Sequence, residues 1–120
     1  MHYSIIVYET EAELAARQDP QRTEAYWSAY HAYSKALAEA GVIRGGAGLQ
    51  PPADATTVRI RDGKRQVQDG PFADTKEKLG GFFVIEVEDL DKALAWAARC
   101  PAASTGSVEV RPNLPPPPVG

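Results

Sequence analysis

A chain of 120 residues with 43% apolar and 24% charged side chains is long enough for one domain with its own core, and too apolar for bulk disorder. Its net charge is −3 and its basic residues are mostly scattered, which disfavours a nucleic-acid-binding surface. No apolar run approaches the roughly 20 residues that span a bilayer, so no membrane partner is expected.

The first ten residues, MHYSIIVYET, lack the basic start and long apolar stretch of a secretory signal. Together with a single cysteine, Cys100, this gives a cytoplasmic location without disulfides as the expectation. Residues 2–8 are rich in β-branched and aromatic types and read as a first strand. Its apolar residues run on rather than alternate, so both faces are expected to be covered. Thr10 and Glu13 have the spacing of a capping box, which predicts a short helix to about Arg17. Asp19 followed by Pro20 marks a second helix start.

From there to about Ala40 the pattern is helical. Tyr26, Tyr30, Tyr33, Leu37 and Ala40 form one stripe, suited to packing on a sheet. Trp27, His31, Ser34 and Ala38 form a second stripe, unusual for a purely solvated surface because it carries a Trp and a His. Gly41 stands where a left-handed cap ends a helix. Residues 42–52 begin as a strand and dissolve into glycines, which permit a bulge or a close backbone approach. After Gly46 and Gly48 the third glycine of a dinucleotide fingerprint is replaced by Pro51, so no nucleotide cofactor is expected.

Residues 55–70 predict a hairpin, with Asp62-Gly63 as its two-residue turn and the basic cluster 59–65 as its solvated tip. The next stretch, QDGPFADTKEKLGG (68–81), is charged and glycine-rich. Asp69 opens a turn ahead of Gly70-Pro71, or presents a carboxylate to a cleft. Asp74 and Glu77 have capping-box spacing, which predicts a single helical turn closed by Gly80. Lys76 suits an ion pair with Asp69 or Glu77, or an anionic ligand. Phe72 suits either a core or a pocket wall.

Residues 81–88 are a strong strand, Asp89 caps a helix that stops at Pro101, and a loop leads to a last strand at 107–112. Cys100, beside Pro101, reads as a buried small hydrophobe. The tail, 113–120, is proline-rich and expected to be extended. The domain is thus 1–112. The order β-α-β-β-β-α-β predicts an α+β, ferredoxin-like sandwich, with a mainly antiparallel sheet and helices on one face. The open face, with Phe82 or Phe83, predicts a homodimer that buries sheet against sheet.

The segment VRIRDGKRQVQDGPFADTKEKLGGFFVIEVEDLDKALAWAARCP, with GSVEVRP and AGVIRGGAGLQP, resembles the DGPF-domain members of the YCII-related family. The resemblance covers nearly the whole chain. It implies a ferredoxin-like subunit in a dimeric α+β barrel, with a cleft near the motif. It also implies a His–Asp pair in that cleft, for which His31 is the candidate besides His2.

Two functional readings follow. In one, the chain is a small cofactor-free lyase or isomerase in which Asp69, with His31 or Glu77, moves a proton on a small organic molecule. Tyr8, Phe72, Lys76 and Arg111 would contact the ligand. Imidazole titrates near neutral pH, which suits proton transfer, although a packed or interface histidine is the simpler reading of His31. In the other, the chain is a non-catalytic small-molecule-binding or accessory module. No metal is expected, because the two histidines and one cysteine have no ligand spacing.

Overall fold

Strand β1, His2–Glu9, alternates in burial. Tyr3, Ile5, Val7 and Glu9 are buried, while Ser4, Ile6 and Tyr8 are half-buried. The strand is apolar on both sides, but within the chain only the odd-numbered side is covered by helices. The expected coverage of both faces is therefore absent from the isolated chain. The computed structural model describes residues 1–117.

Thr10 Oγ1 accepts a hydrogen bond from the Glu13 N–H at 3.2 Å and starts helix α1, Glu11–Ala16. Asp19 does not start the next helix as expected. Its carboxylate takes the Gln21 N–H and Arg22 Nε, and its carbonyl takes the N–H groups of Arg22 and Thr23. These bonds close a separate turn, so α2 begins later, at Thr23–Glu39. Gly41, with φ +72°, ends it in the left-handed conformation.

Strand β2, Ile43–Gly48, pairs with β5, Lys78–Glu86, through a register shift between Ile43 and Gly45. The backbones approach so closely that a Cβ at Gly46 would stand 2.6 Å from the Phe82 carbonyl. Between these strands lie β3, Thr56–Arg61, and β4, Lys64–Asp69. Asp62 and Gly63 both have positive φ, as the expected two-residue turn requires. The hairpin pairs only with itself, so it forms a two-stranded sheet apart from the main one. Its paired residues Val58 and Val67, and Ile60 beside them, are each more than half exposed.

The helical turn expected at Asp74–Glu77 does not form. Asp74 pairs with Lys78 at 3.1 Å, and Thr75 Oγ1 donates to the Glu77 carbonyl, so the loop runs directly into β5. Gly80 is part of that strand rather than a helix stop. Asp89 Oδ1 takes the Lys92 N–H at 2.9 Å and starts α3, Leu90–Ala98. A short helix, α4, Ala102–Thr105, occupies the expected loop before β6, Ser107–Pro112. Residues 113–117 continue exposed without helix or strand, and the rest of the proline-rich tail, 118–120, lies outside the described residues.

The main sheet has the order β2-β5-β1-β6, antiparallel throughout, which is the ferredoxin-like arrangement with a hairpin inserted. Helices α2 and α3 cover one face. Ile5, Leu37, Ile85 and Ala93 form its fully buried centre, with Cys100 beside them. Tyr33 joins the layers: its ring meets Phe83 edge-on at 5.2 Å and its hydroxyl donates to the Trp96 carbonyl at 2.9 Å. Ile6 pairs with Phe82 on the opposite, open face. The molecule is accordingly a slab of 51 × 47 × 20 Å. Among the described residues no helix is long and apolar enough to cross a membrane.

Candidate functional site

A cavity of about 700 Å³ lies between α2 and the glycine-lined ends of β2 and β5. Trp27, Tyr30, His31 and Ser34 form its helical wall, and Gly45–Gly48 with Gly80, Gly81 and Phe83 form the sheet side. The second stripe of α2, unexplained by packing alone, thus faces this space. Its floor is polar. Glu9 follows Tyr3, Ile5 and Val7 on the buried side of β1, so its carboxylate is carried inward and is only 2% exposed.

Glu9 is held by a counter-charge. Arg17, just after α1, places Nη2 3.0 Å from Glu9 Oε1, and Tyr26 donates its hydroxyl to Glu9 Oε2 at 2.6 Å. Arg17 Nε donates to the Tyr26 hydroxyl at 2.9 Å. Its remaining bonds go to the carbonyls of Leu49 and Gly80. The guanidinium also lies 5.6 Å from the centres of both the Tyr26 and Trp27 rings. Gly80 makes room for this group: a Cβ there would stand 2.4 Å from Glu9 Oε1.

The electrostatics follow from this packing. Burial works against the Arg17 charge, but the bonds to Tyr26 and Glu9 outweigh it and hold its pKa above the ordinary value. Burial, reinforced by the Glu9 carboxylate, raises the pKa values of the Tyr26 and Tyr30 phenols. The Tyr30 hydroxyl oxygen is sealed from solvent and has no hydrogen-bond partner among the described residues; the Cys100 thiol lies near it without meeting hydrogen-bond geometry. Burial also pushes the Cys100 thiol up, consistent with an inert, packed cysteine.

Of the residues singled out from sequence, His31 lines this cavity and is exposed at its rim. The others lie elsewhere on the chain. Tyr8, Lys76 and Glu77 share a polar depression with Ser107, whose hydroxyl donates to Glu77 at 2.7 Å. Phe72 is 74% exposed, has the Arg59 guanidinium 4.9 Å from its ring centre, and shares a separate groove with Tyr8 and Leu79. Asp69 ends β4 opposite Thr56, exposed. Arg111 is exposed on β6 and pairs with Glu109. Among the described residues Asp69 and Glu77 do not join His31 in one cavity, and no aspartate lines the cavity beside it. The carboxylate that does so is Glu9.

Glu9 and Arg17 were not singled out from sequence. The signal for Glu9 was its place as fourth member of the series Tyr3, Ile5, Val7. No comparable signal marks Arg17, whose partners come from β1, α2, β5 and the loop after β2. Among the described residues no cluster of His, Cys, Asp or Glu is arranged to hold a metal ion.

The family model of the YCII-related domain matches residues 1–115. The chain belongs to the YCII-related family. The chain is similar to an uncharacterised protein of Rhizobium meliloti (strain 1021): the two are 39% identical over 114 residues, spanning 93% of this chain and 91% of the relative. Among solved structures, this YCII-related chain is similar to TftG of Burkholderia phenoliruptrix AC1100, a 5-chloro-2-hydroxyhydroquinone dehydrochlorinase bound to 2,5-dihydroxybenzoquinone. The TM-score is 0.55 at 18% identity, over 95% of this chain and 94% of that one. That likeness establishes the shared α+β fold.

Proposed function

We propose that this YCII-related protein binds a small organic molecule in the cavity beneath α2 and moves a proton on it without a cofactor. The observation that carries this reading is the buried Glu9 carboxylate at the floor of a largely apolar cavity that has His31 at its rim. Two groups able to exchange protons, one at the floor and one at the rim of a half-open cavity, suit an elimination or isomerisation. The structural neighbour TftG, a dehydrochlorinase with a small quinone bound, is consistent with that chemistry class.

The test is a thermal-shift screen of hydroxylated and halogenated aromatic compounds, followed by turnover assays on the hits. Binding should weaken in Gly48→Val, which places a branched side chain on the sheet wall of the cavity. Turnover should fall at least tenfold in His31→Ala while binding persists. Hits that bind without turnover, unaffected by His31→Ala, would leave a non-catalytic binding module instead.

The same reading includes a homodimer formed through the open sheet face. Phe82 and Leu79 there are 37% and 45% exposed, beside the half-buried Ile6 and Tyr8. Covering that surface by a second copy removes apolar area from water.

A further inference from the structure

The hydrogen-bond inventory of the cavity floor narrows the ligand class, building on the proposed binding role of the cavity. A guanidinium has five N–H donors in a planar fork. Arg17 directs Nε to Tyr26, Nη1 to the Leu49 carbonyl, and Nη2 to both Glu9 and the Gly80 carbonyl. The edge formed by its Nε and Nη2 groups, which would grip a carboxylate or phosphate with two parallel bonds, is thus already occupied. Its charge is balanced by Glu9. Tyr26 both accepts from Arg17 and donates to Glu9, so its single proton is also committed.

Glu9 is in the opposite condition. An ionised carboxylate offers about four acceptor positions. Here Oε1 receives an N–H from Arg17, and the Tyr26 O–H is shared between Oε1 at 2.8 Å and Oε2 at 2.6 Å, so acceptor capacity remains, chiefly on Oε2, in a group that lines the cavity. The ionisable groups lining the cavity are Glu9, Arg17, Tyr26, Tyr30 and His31. Among the described residues the floor therefore carries an unfilled acceptor on Glu9 and one uncommitted Nη1 N–H on a guanidinium whose charge is already balanced. An incoming anion would meet a carboxylate and a committed guanidinium.

We infer that the cavity selects a neutral ligand whose O–H or N–H group donates to Glu9, and discriminates against the corresponding anion. The aromatic wall and the glycine strip favour a flat, apolar body on that donor. A donor to a buried, ionised acceptor contributes enough to separate matched ligands by about tenfold or more.

Phenol, anisole and benzoate are suitable probes: near neutral pH they are a neutral donor, a neutral molecule without a donor, and an anion. Binding is followed by the indole N–H resonance of Trp27, which lines the cavity. Phenol is expected to bind about tenfold more tightly than either of the others in the wild-type protein. In Glu9→Gln the Arg17 charge loses its counter-ion, and benzoate should become the preferred probe, with circular dichroism verifying the fold. The wild-type comparison needs no variant and stands even if Glu9→Gln does not fold. Benzoate or anisole binding as tightly as phenol would overturn the inferred selectivity while leaving the cavity as a binding site. If none of the three moves the Trp27 resonance at saturating concentration, the selectivity and the binding role fall together.

Discussion

Arg17 serves the fold and the site through the same bonds. Truncating it leaves the Glu9 carboxylate buried without a counter-charge, which typically costs about 3–5 kcal/mol. Arg17→Met should show a loss of that order in urea denaturation, and a loss below about 1 kcal/mol would mean that Glu9 is relieved by water or protonation. The tyrosines supply a second expectation. Tyr26, Tyr30 and Tyr33 have raised pKa values, with burial the main cause in each and Glu9 adding to it for the first two. Above the ordinary phenol value of about 10, the unfolded chain releases protons that the folded chain retains. Stability is thus undiminished by these groups below about pH 10 and falls as pH rises beyond it. Phenolate absorbance and far-ultraviolet circular dichroism, followed together, should show these three phenols ionising with unfolding. Ionisation of all three while the circular dichroism remains native would contradict it.

The helices and strands differ in how far local chemistry announces them. Thr10, Asp89, Gly41 and Asp62-Gly63 act on backbone groups within a few residues, so their caps and turns were legible in the sequence. Asp74 and Glu77 had the same outward pattern. There the Lys78 side chain captures Asp74, and Ser107, thirty residues away, captures Glu77. The Glu9–Arg17–Tyr26 network was largely illegible because its bonds cross between a strand and two helical segments. The position of His31 beside a cavity was anticipated in outline by the second stripe of α2, whereas the opposing glycine wall needed the sheet register. That wall provides a paired test. Gly48 pairs with Gly81, the partner of Val7 on the helix side, and a Cβ at Gly48 meets nothing within 4 Å. Gly48→Val should therefore shift the melting temperature by no more than a few degrees while weakening ligand binding. Gly80→Ala drives a methyl group into Glu9, and a loss of about 1–3 kcal/mol is expected from the resulting overpacking. Equal stability of the two variants in thermal melts would refute this division of the glycines.

For the molecule as a unit, the thin slab and open sheet face lead to an expectation about assembly. Sedimentation equilibrium should find a dimer for the wild type and a folded monomer for Phe82→Glu, which sets a like charge against itself across a two-fold contact. A wild-type monomer, or a variant dimer of unchanged strength, would remove the sheet face from consideration. The inserted hairpin has a different consequence. Its base is closed by Thr56 opposite Asp69 and by the Gly70 N–H bonded to the Ala55 carbonyl at 2.7 Å. The chain therefore leaves and rejoins the body at nearly one place, and the arm contributes no strand to the main sheet. Such a pendant is free to change length over evolutionary time without shifting the sheet register. It is also a natural splice point: a peptide tag inserted at Asp62-Gly63 would ride on the arm while β2 and β5 keep their partners.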